Sequence, residues 1–243
     1  MPVGVRVPDF NPQPDSPCIC RSGRTFGDCC GTTAPNRRPP PGVKVLQGFL
    51  PRETCRQWVE YLERQPRANA QVLDMEKSTP ERPVFVEDKA RVCHEVKAGD
   101  LQKDINAAVR QAYLHVAAAT NRQMEWMETP HVLRYEPGGF YVSHADSCQR
   151  DEATKTWYKV NDRDLSLLMY INDDFTGGGF SFTRFNCRFT PGVGDVLVFP
   201  SDHRYEHCAH VVDSGFRYAI ASWAAVRGVR RVLPNPPEQA LMF

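Results

Sequence analysis

Residues FYVSHAD (140–146) put a histidine and an aspartate two positions apart, directly after the turn sequence EPGG (136–139). On an extended strand, residues i and i+2 point to the same face. His144 and Asp146 then offer an imidazole and a carboxylate together. Two histidines and one carboxylate on one side of a metal leave the opposite positions open, which is the donor set of non-haem iron(II) sites. A third ligand has to come from a distant strand, and His203, His207 and His210 are the candidates. A second cluster, CICRSGRTFGDCCG (18–31), holds Cys18, Cys20, Cys29 and Cys30. Four thiolates close a tetrahedron around zinc, and Gly23 lets the chain loop back to form it. So short a segment has no core of its own, so the metal would supply its folding energy.

The elements that must hold these residues follow from periodicity. Pro51 opens a helix whose apolar face is Cys55, Trp58, Val59 and Leu62, and Pro66 stops it. A second helix is predicted over about residues 100–120, with Leu101, Ile105, Ala108, Ala112 and Val116 on one side. Residues 68–95 read as irregular, with short candidate strands such as 83–86. From residue 130 the pattern changes to short strands over 131–135, 165–171, 179–182, 195–199 and 217–223, separated by turn sequences. Helices followed by many short strands predict a mainly β fold, a jelly-roll or cupin-like barrel braced by helices. Trp157 and Tyr158, in the segment 147–164, either cover a substrate or pack. Arg134 points away from Tyr135, to solvent or another layer.

The 243 residues carry a formal net charge of +1, which gives no reason to expect nucleic acid or a membrane surface as a ligand. No apolar run has the length of a membrane span. Nine cysteines, four clustered and five scattered, do not form the framework of a small disulfide-rich secreted domain. A reducing, cytoplasmic setting is expected, with the scattered thiols packed as small hydrophobes. The basic cluster Arg227, Arg230 and Arg231 reads as a solvated tail.

Four stretches in order resemble the prolyl 4-hydroxylase branch of the iron(II)/2-oxoglutarate-dependent dioxygenases. They are LRYEPGGFYVSHAD (133–146), SLLMYINDDFTGGGFSF (166–182), PGVGDVLVFPS (191–201) and HCAHVVDSGFRYAIASW (207–223). The resemblance implies a double-stranded β-helix. Its last block runs from a histidine to a glycine eight residues on and a basic residue at ten, which fits His207, Gly215 and Arg217. It therefore implies His144, Asp146 and His207 as iron ligands, with no catalytic residue beyond the iron centre. Arg217 and Tyr135, and with less support Tyr170, fall where the family binds 2-oxoglutarate. Tyr141 falls on the substrate side. Gly179 stands where relatives often have glutamate. Fe(II), 2-oxoglutarate and O2 are the implied cofactor and co-substrates, and ascorbate is admitted as a reductant. Arg217 is no acid or base, because a guanidinium stays charged. The cysteine cluster resembles the SEC-C motif, a zinc binder often used in contacts with partner proteins or the ribosome.

The expected organisation is an extended segment 1–17, a zinc-binding motif 18–31, a Pro-rich linker 32–42 and an oxygenase domain 43–243. Within that domain, helical support spans 43–125 and the β-helix core spans 130–225. The expected function is hydroxylation of a prolyl or other side chain of a protein, with release of succinate and carbon dioxide. A protein partner, of the translation apparatus by extension, would dock through the zinc module. The alternatives are hydroxylation of a free amino acid or small molecule, and an adaptor that binds metal and 2-oxoglutarate without turnover.

Overall fold

A computed structural model describes residues 4–32, 38–73 and 84–243. The middle of the Pro-rich stretch (33–37), the first three residues and the start of the candidate strand at 83–86 lie outside the described residues.

Two sheets face each other. The larger has the order Lys44–Leu46, Val196–Pro200, Leu165–Tyr170, Arg217–Val226, His131–Tyr135, His94–Val96, Arg67–Asn69. Met124–Met127 and Leu241–Met242 extend it beside the far end of Arg217–Val226. The smaller has the order Cys187–Phe189, Phe180–Phe182, His207–Ala209, Phe140–His144, Arg91–Val92. Every pairing in both is antiparallel, as a jelly roll requires.

Helices α1 (Arg52–Leu62) and α2 (Gln102–Thr120) cover the outer face of the larger sheet. The core there joins Cys55, Trp58, Leu62, Ile105, Ala112 and Val116 to Leu165, Leu167 and Met169, whose side chains alternate outward. Pro51 stands just before α1 and α2 ends on Asn121 in the left-handed conformation, so both boundaries follow local chemistry. The alternate residues Ser166, Leu168 and Tyr170 face inward and line a cleft between the sheets. Buried on both faces, Leu165–Tyr170 is apolar at five of its six positions instead of alternating.

Two sequence expectations change, and an open one is decided. The segment 68–95 is richer in strand than expected, because its short strands edge both sheets where period-two patterning is too brief to read. Of the two settings expected for Arg134, it takes the packed layer: Glu63 accepts from its Nε at 2.9 Å, Glu136 pairs with it, and it lies 3.7 Å over the Phe216 ring. Arg231 is no part of a free tail, since it binds Asp164 at 2.8 Å and also pairs with Glu125.

Candidate active site

The strands Phe140–His144 and His207–Ala209 are neighbours in the smaller sheet, with His144 directly opposite His207. The register is irregular between Tyr141 and His144. Asp146 is not on the strand. It sits in the bend after it, so the turn, and not strand alternation alone, brings its carboxylate to the imidazoles. One donor atom from each of His144, Asp146 and His207 lies within 4.8 Å of the others. His144 Nε2 is 3.7 Å from Asp146 Oδ1, and His207 Nε2 is 3.6 Å from Asp146 Oδ2.

Both imidazoles are oriented from behind. His144 Nδ1 bonds the Val142 carbonyl at 2.9 Å, and His207 Nδ1 bonds the Tyr205 carbonyl at 3.0 Å. A carbonyl only accepts, so Nδ1 carries the proton and each Nε2 presents its lone pair to the shared point. Burial, then the neighbouring His207, pushes His144 down to about 3, so it stays neutral. Burial opposes charge on Asp146, but His207, His144 and the Ser166 hydroxyl outweigh it and hold the carboxyl below its usual range. Ser166 donates to Asp146 Oδ2 at 2.6 Å and shares a 2.7 Å bond with Ser201. Two imidazoles and one carboxylate, each with its outer atom anchored, fit a divalent iron ion.

Arg217 lies across the cleft on the larger sheet, opposite Tyr135 in register. Its guanidinium is 3.9 Å over the Tyr135 ring, and Nη1 donates to the Gly178 carbonyl at 2.7 Å. Its Nε is buried without a hydrogen-bond partner among the described residues. A buried guanidinium with a free N–H and no carboxylate bonded to it is a receptor for an anionic group. Two residues before it, Gly215 has φ +73°, and a Cβ there would sit 2.4 Å from the Asp174 carbonyl oxygen, so the bend needs glycine. Tyr170 is buried on the same wall, and burial pushes its hydroxyl up to about 12. Tyr141 stacks on His144 with ring centroids 3.7 Å apart and lines the cleft.

The cleft measures about 1600 Å³. Its wall includes three residues that the sequence reading passed over. Arg91 lies 5.0 Å over the Tyr141 ring. Arg163 is held by both Glu128 oxygens at 2.5 and 2.7 Å and lies 3.7 Å over Trp223. Alternation from Arg217 through Ala219 and Ala221 would have placed Trp223 on the cleft face. No local signal marks Arg91 or Arg163.

Of the other histidines, His210 bonds Ser181 at 2.6 Å. His203 is buried, stacked on Trp157 at 4.9 Å, with neither ring nitrogen bonded among the described residues. Trp157 therefore packs, and Tyr158 is not among the residues that line the cleft. Burial depresses His203 more than Asp202 raises it. The unfolded chain takes up this proton near the ordinary value of about 6.5 and the folded chain resists it. Stability is thus complete above that pH and declines as pH falls through it. Urea midpoints of iron-free protein at pH 7.5 and 5.5 are expected to differ less in His203→Gln than in the parent. An equal difference in both would rule out His203 as a source.

The four cysteines Cys18, Cys20, Cys29 and Cys30 also converge, each sulfur within 4.8 Å of the others. Cys20 Sγ is 3.4 Å from both Cys18 and Cys29. The Ser22 hydroxyl, more than any other neighbour, brings the Cys29 thiol down to about 6. Sulfurs bound to one tetrahedral zinc lie about 3.8 Å apart, so the cluster fits that ion.

Residues 130–225 match the family model of the 2OG-Fe(II) oxygenase superfamily, and residues 16–32 match the SEC-C motif. Over 99 residues the chain is 35% identical to prolyl 3-hydroxylase 2 of Homo sapiens, covering 37% of this chain and 14% of that one. Over 128 residues it is 28% identical to a putative prolyl 4-hydroxylase of Acanthamoeba polyphaga mimivirus, covering 49% and 53%. The chain thus spans about half or less of the length of these relatives. The fold is shared with a Trichoplax adhaerens prolyl hydroxylase solved with a hypoxia inducible factor peptide fragment, at TM-score 0.55 and 16% identity over 76% of this chain and 83% of that one. It is shared too with a Pseudomonas putida prolyl-4-hydroxylase, at 0.50 and 20% over 77% and 94%. Residues 130–225 are thus similar to 2OG-Fe(II) oxygenases, proteins named as prolyl hydroxylases among them, and residues 16–32, ahead of them, are similar to the SEC-C motif. The superfamily implies Fe(II), 2-oxoglutarate and O2. No helix among the described residues is long and apolar enough to cross a membrane.

Proposed function

We propose that this protein hydroxylates a prolyl or other side chain of a protein, consuming 2-oxoglutarate and O2 and releasing succinate and carbon dioxide. One observation carries the reading: the His144, Asp146 and His207 donors converge at one end of the cleft, and the free Nε of Arg217 lies buried in its wall. His144, Asp146 and His207 hold iron(II). Iron and 2-oxoglutarate, when bound, supply the oxidising chemistry; the protein supplies placement. Arg217 takes the distal carboxylate of 2-oxoglutarate, with Tyr135 beneath the guanidinium and Tyr170 beside it. Tyr141, Arg163 and Trp223 form the substrate side. A flat indole beside a charged, Glu128-clamped guanidinium offers an apolar platform for a prolyl ring and a donor for a peptide carbonyl.

The cleft supports a macromolecular substrate over a free amino acid. Its volume of about 1600 Å³ exceeds the roughly 300–1,000 Å³ of ordinary small-molecule pockets. The curated relatives named as prolyl hydroxylases support the same class. Cys18, Cys20, Cys29 and Cys30 hold zinc, in the module 18–31 that precedes the oxygenase domain 43–243. Nine free thiols among the described residues suit a reducing, cytoplasmic setting. Ascorbate is proposed as a reductant for iron, and a translation-associated protein as substrate or partner.

The test is anaerobic reconstitution with iron(II) and 2-oxoglutarate, followed by air and a panel of proline-containing peptides. A charge-transfer absorption band, then succinate formation stimulated by a peptide that gains one oxygen, is the expected result. Succinate stimulated only by free amino acids would replace the protein-substrate reading. Absence of the band in folded protein would sink the iron-site reading itself.

A further inference from the structure

The cysteine module packs inward. Cys18, Cys29 and Cys30 are buried in one apolar cluster with Phe182, Phe185 and Tyr205, and Phe26 packs against it. Phe185 lies on the Tyr205 ring at 5.2 Å, and Phe182 meets that ring edge-on at 6.1 Å. The Tyr205 carbonyl is the group that anchors His207 Nδ1. Phe182 also meets the His207 ring, at 6.3 Å. The buried thiols thus share one cluster with the aromatic side chain, Phe182, that meets the imidazole.

Further ties run between the N-terminal segment and the same stretch. Arg184 donates to the Phe10 carbonyl at 2.7 Å and pairs with Glu206, next to His207. The Cys187 thiol bonds the Arg38 carbonyl at 3.1 Å, and the Tyr205 hydroxyl bonds the Pro41 carbonyl. Val5–Val7 adds a strand to Thr156–Lys159, which pairs with Cys148–Asp151 on the cleft wall. Trp157 of that hairpin stacks on His203, four residues before His207.

We infer that the cysteine module is a positioning element of the iron site: metal held by its four thiolates fixes the face on which Phe185 and Tyr205 pack, and Tyr205 in turn fixes His207. The inference rests on the reading of His207 as an iron ligand. The physical reason is that residues 18–31 have too little apolar surface to hold a shape unaided. Without metal the aromatic layer loses its outer support, and the carbonyl that aims His207 is free to shift. Outer contacts of this kind change metal affinity by about 10- to 100-fold. Deleting residues 1–42 would accordingly disturb the iron site, and is no clean test of partner docking.

The experiment compares full-length protein with Cys20→Ser and Arg184→Gln. Zinc content, hydrogen exchange over residues 203–209 and anaerobic iron(II) titration are measured on each. Cys20→Ser is expected to lose zinc, to exchange faster over 203–209 and to bind iron(II) about tenfold more weakly. Arg184→Gln keeps all four cysteines and its zinc, and is expected to shift exchange and affinity in the same direction by less. Should Cys20→Ser fail to fold, Arg184→Gln decides the matter. Parental exchange over 203–209 and parental iron(II) affinity in folded variants would overturn the inference. If the parent protein itself takes up no iron(II), the functional reading fails instead, and exchange alone still tests the link between module and segment.

Discussion

Arg217→Gln is expected to abolish useful binding of 2-oxoglutarate while leaving iron(II) binding intact. Arg217 lies on the larger sheet, whereas His144, Asp146 and His207 lie on or just after strands of the smaller one. Its buried Nε awaits an acceptor, and no carboxylate among the described residues is bonded to it. Truncating one partner of a buried, hydrogen-bonded charge pair costs about 2–5 kcal/mol. That corresponds to a loss of affinity between about thirtyfold and several thousandfold. Arg217→Lys keeps the charge but loses the planar fork, so it should fall between the two. Anaerobic titration of the iron-loaded protein with 2-oxoglutarate, followed by its charge-transfer band, measures all three. If Arg217→Gln binds 2-oxoglutarate like the parent, the carboxylate sits elsewhere in the cleft, and Arg91 becomes the candidate to examine.

Asp146→Asn is expected to lose iron(II) affinity by more than about a hundredfold, beyond the range seen for outer-layer changes. The substitution is isosteric, but it removes the only carboxylate of the cluster. The two imidazoles stay oriented by the Val142 and Tyr205 carbonyls and cannot replace that charge. Ser166→Ala makes the contrast. It deletes one 2.6 Å bond to the carboxylate without touching the donor set, so a loss of about tenfold is expected. Competition with a colorimetric chelator under nitrogen gives both constants. Equal losses in the two variants would mean that Asp146 acts by shaping the bend and not as a ligand. Near-parental affinity in Asp146→Asn would remove it from the site.

The sequence was most informative where chemistry repeats locally. The periodicity of Cys55, Trp58 and Leu62 marked one helix face, and short apolar runs marked the strands of the barrel. The spacing from His207 through Gly215 to Arg217 is also local, because it lies along two short strands with their turns and the start of a third strand. The contact of Arg163 with Glu128 and Trp223 was not legible, because it joins three segments that meet only when the larger sheet forms. His203 shows the same limit from the other side. By residue type it is one of three candidate histidines, set aside only by the spacing from His207 to Gly215 and Arg217, and it is packing that turns it onto Trp157.

The sequence by itself determined the kinds of donor present, their spacing and the type of element under each. Those properties depend on residue identity and on backbone periods of two and 3.6. Only the tertiary structure decided that Asp146 reaches the imidazoles from a bend. It likewise decided that Arg217 ends up with a buried Nε unbonded among the described residues, and that Cys18, Cys29 and Cys30 are buried in one cluster with Tyr205. The reason is that each is a contact between segments far apart in the chain, set by how two twisted sheets close on a shared core.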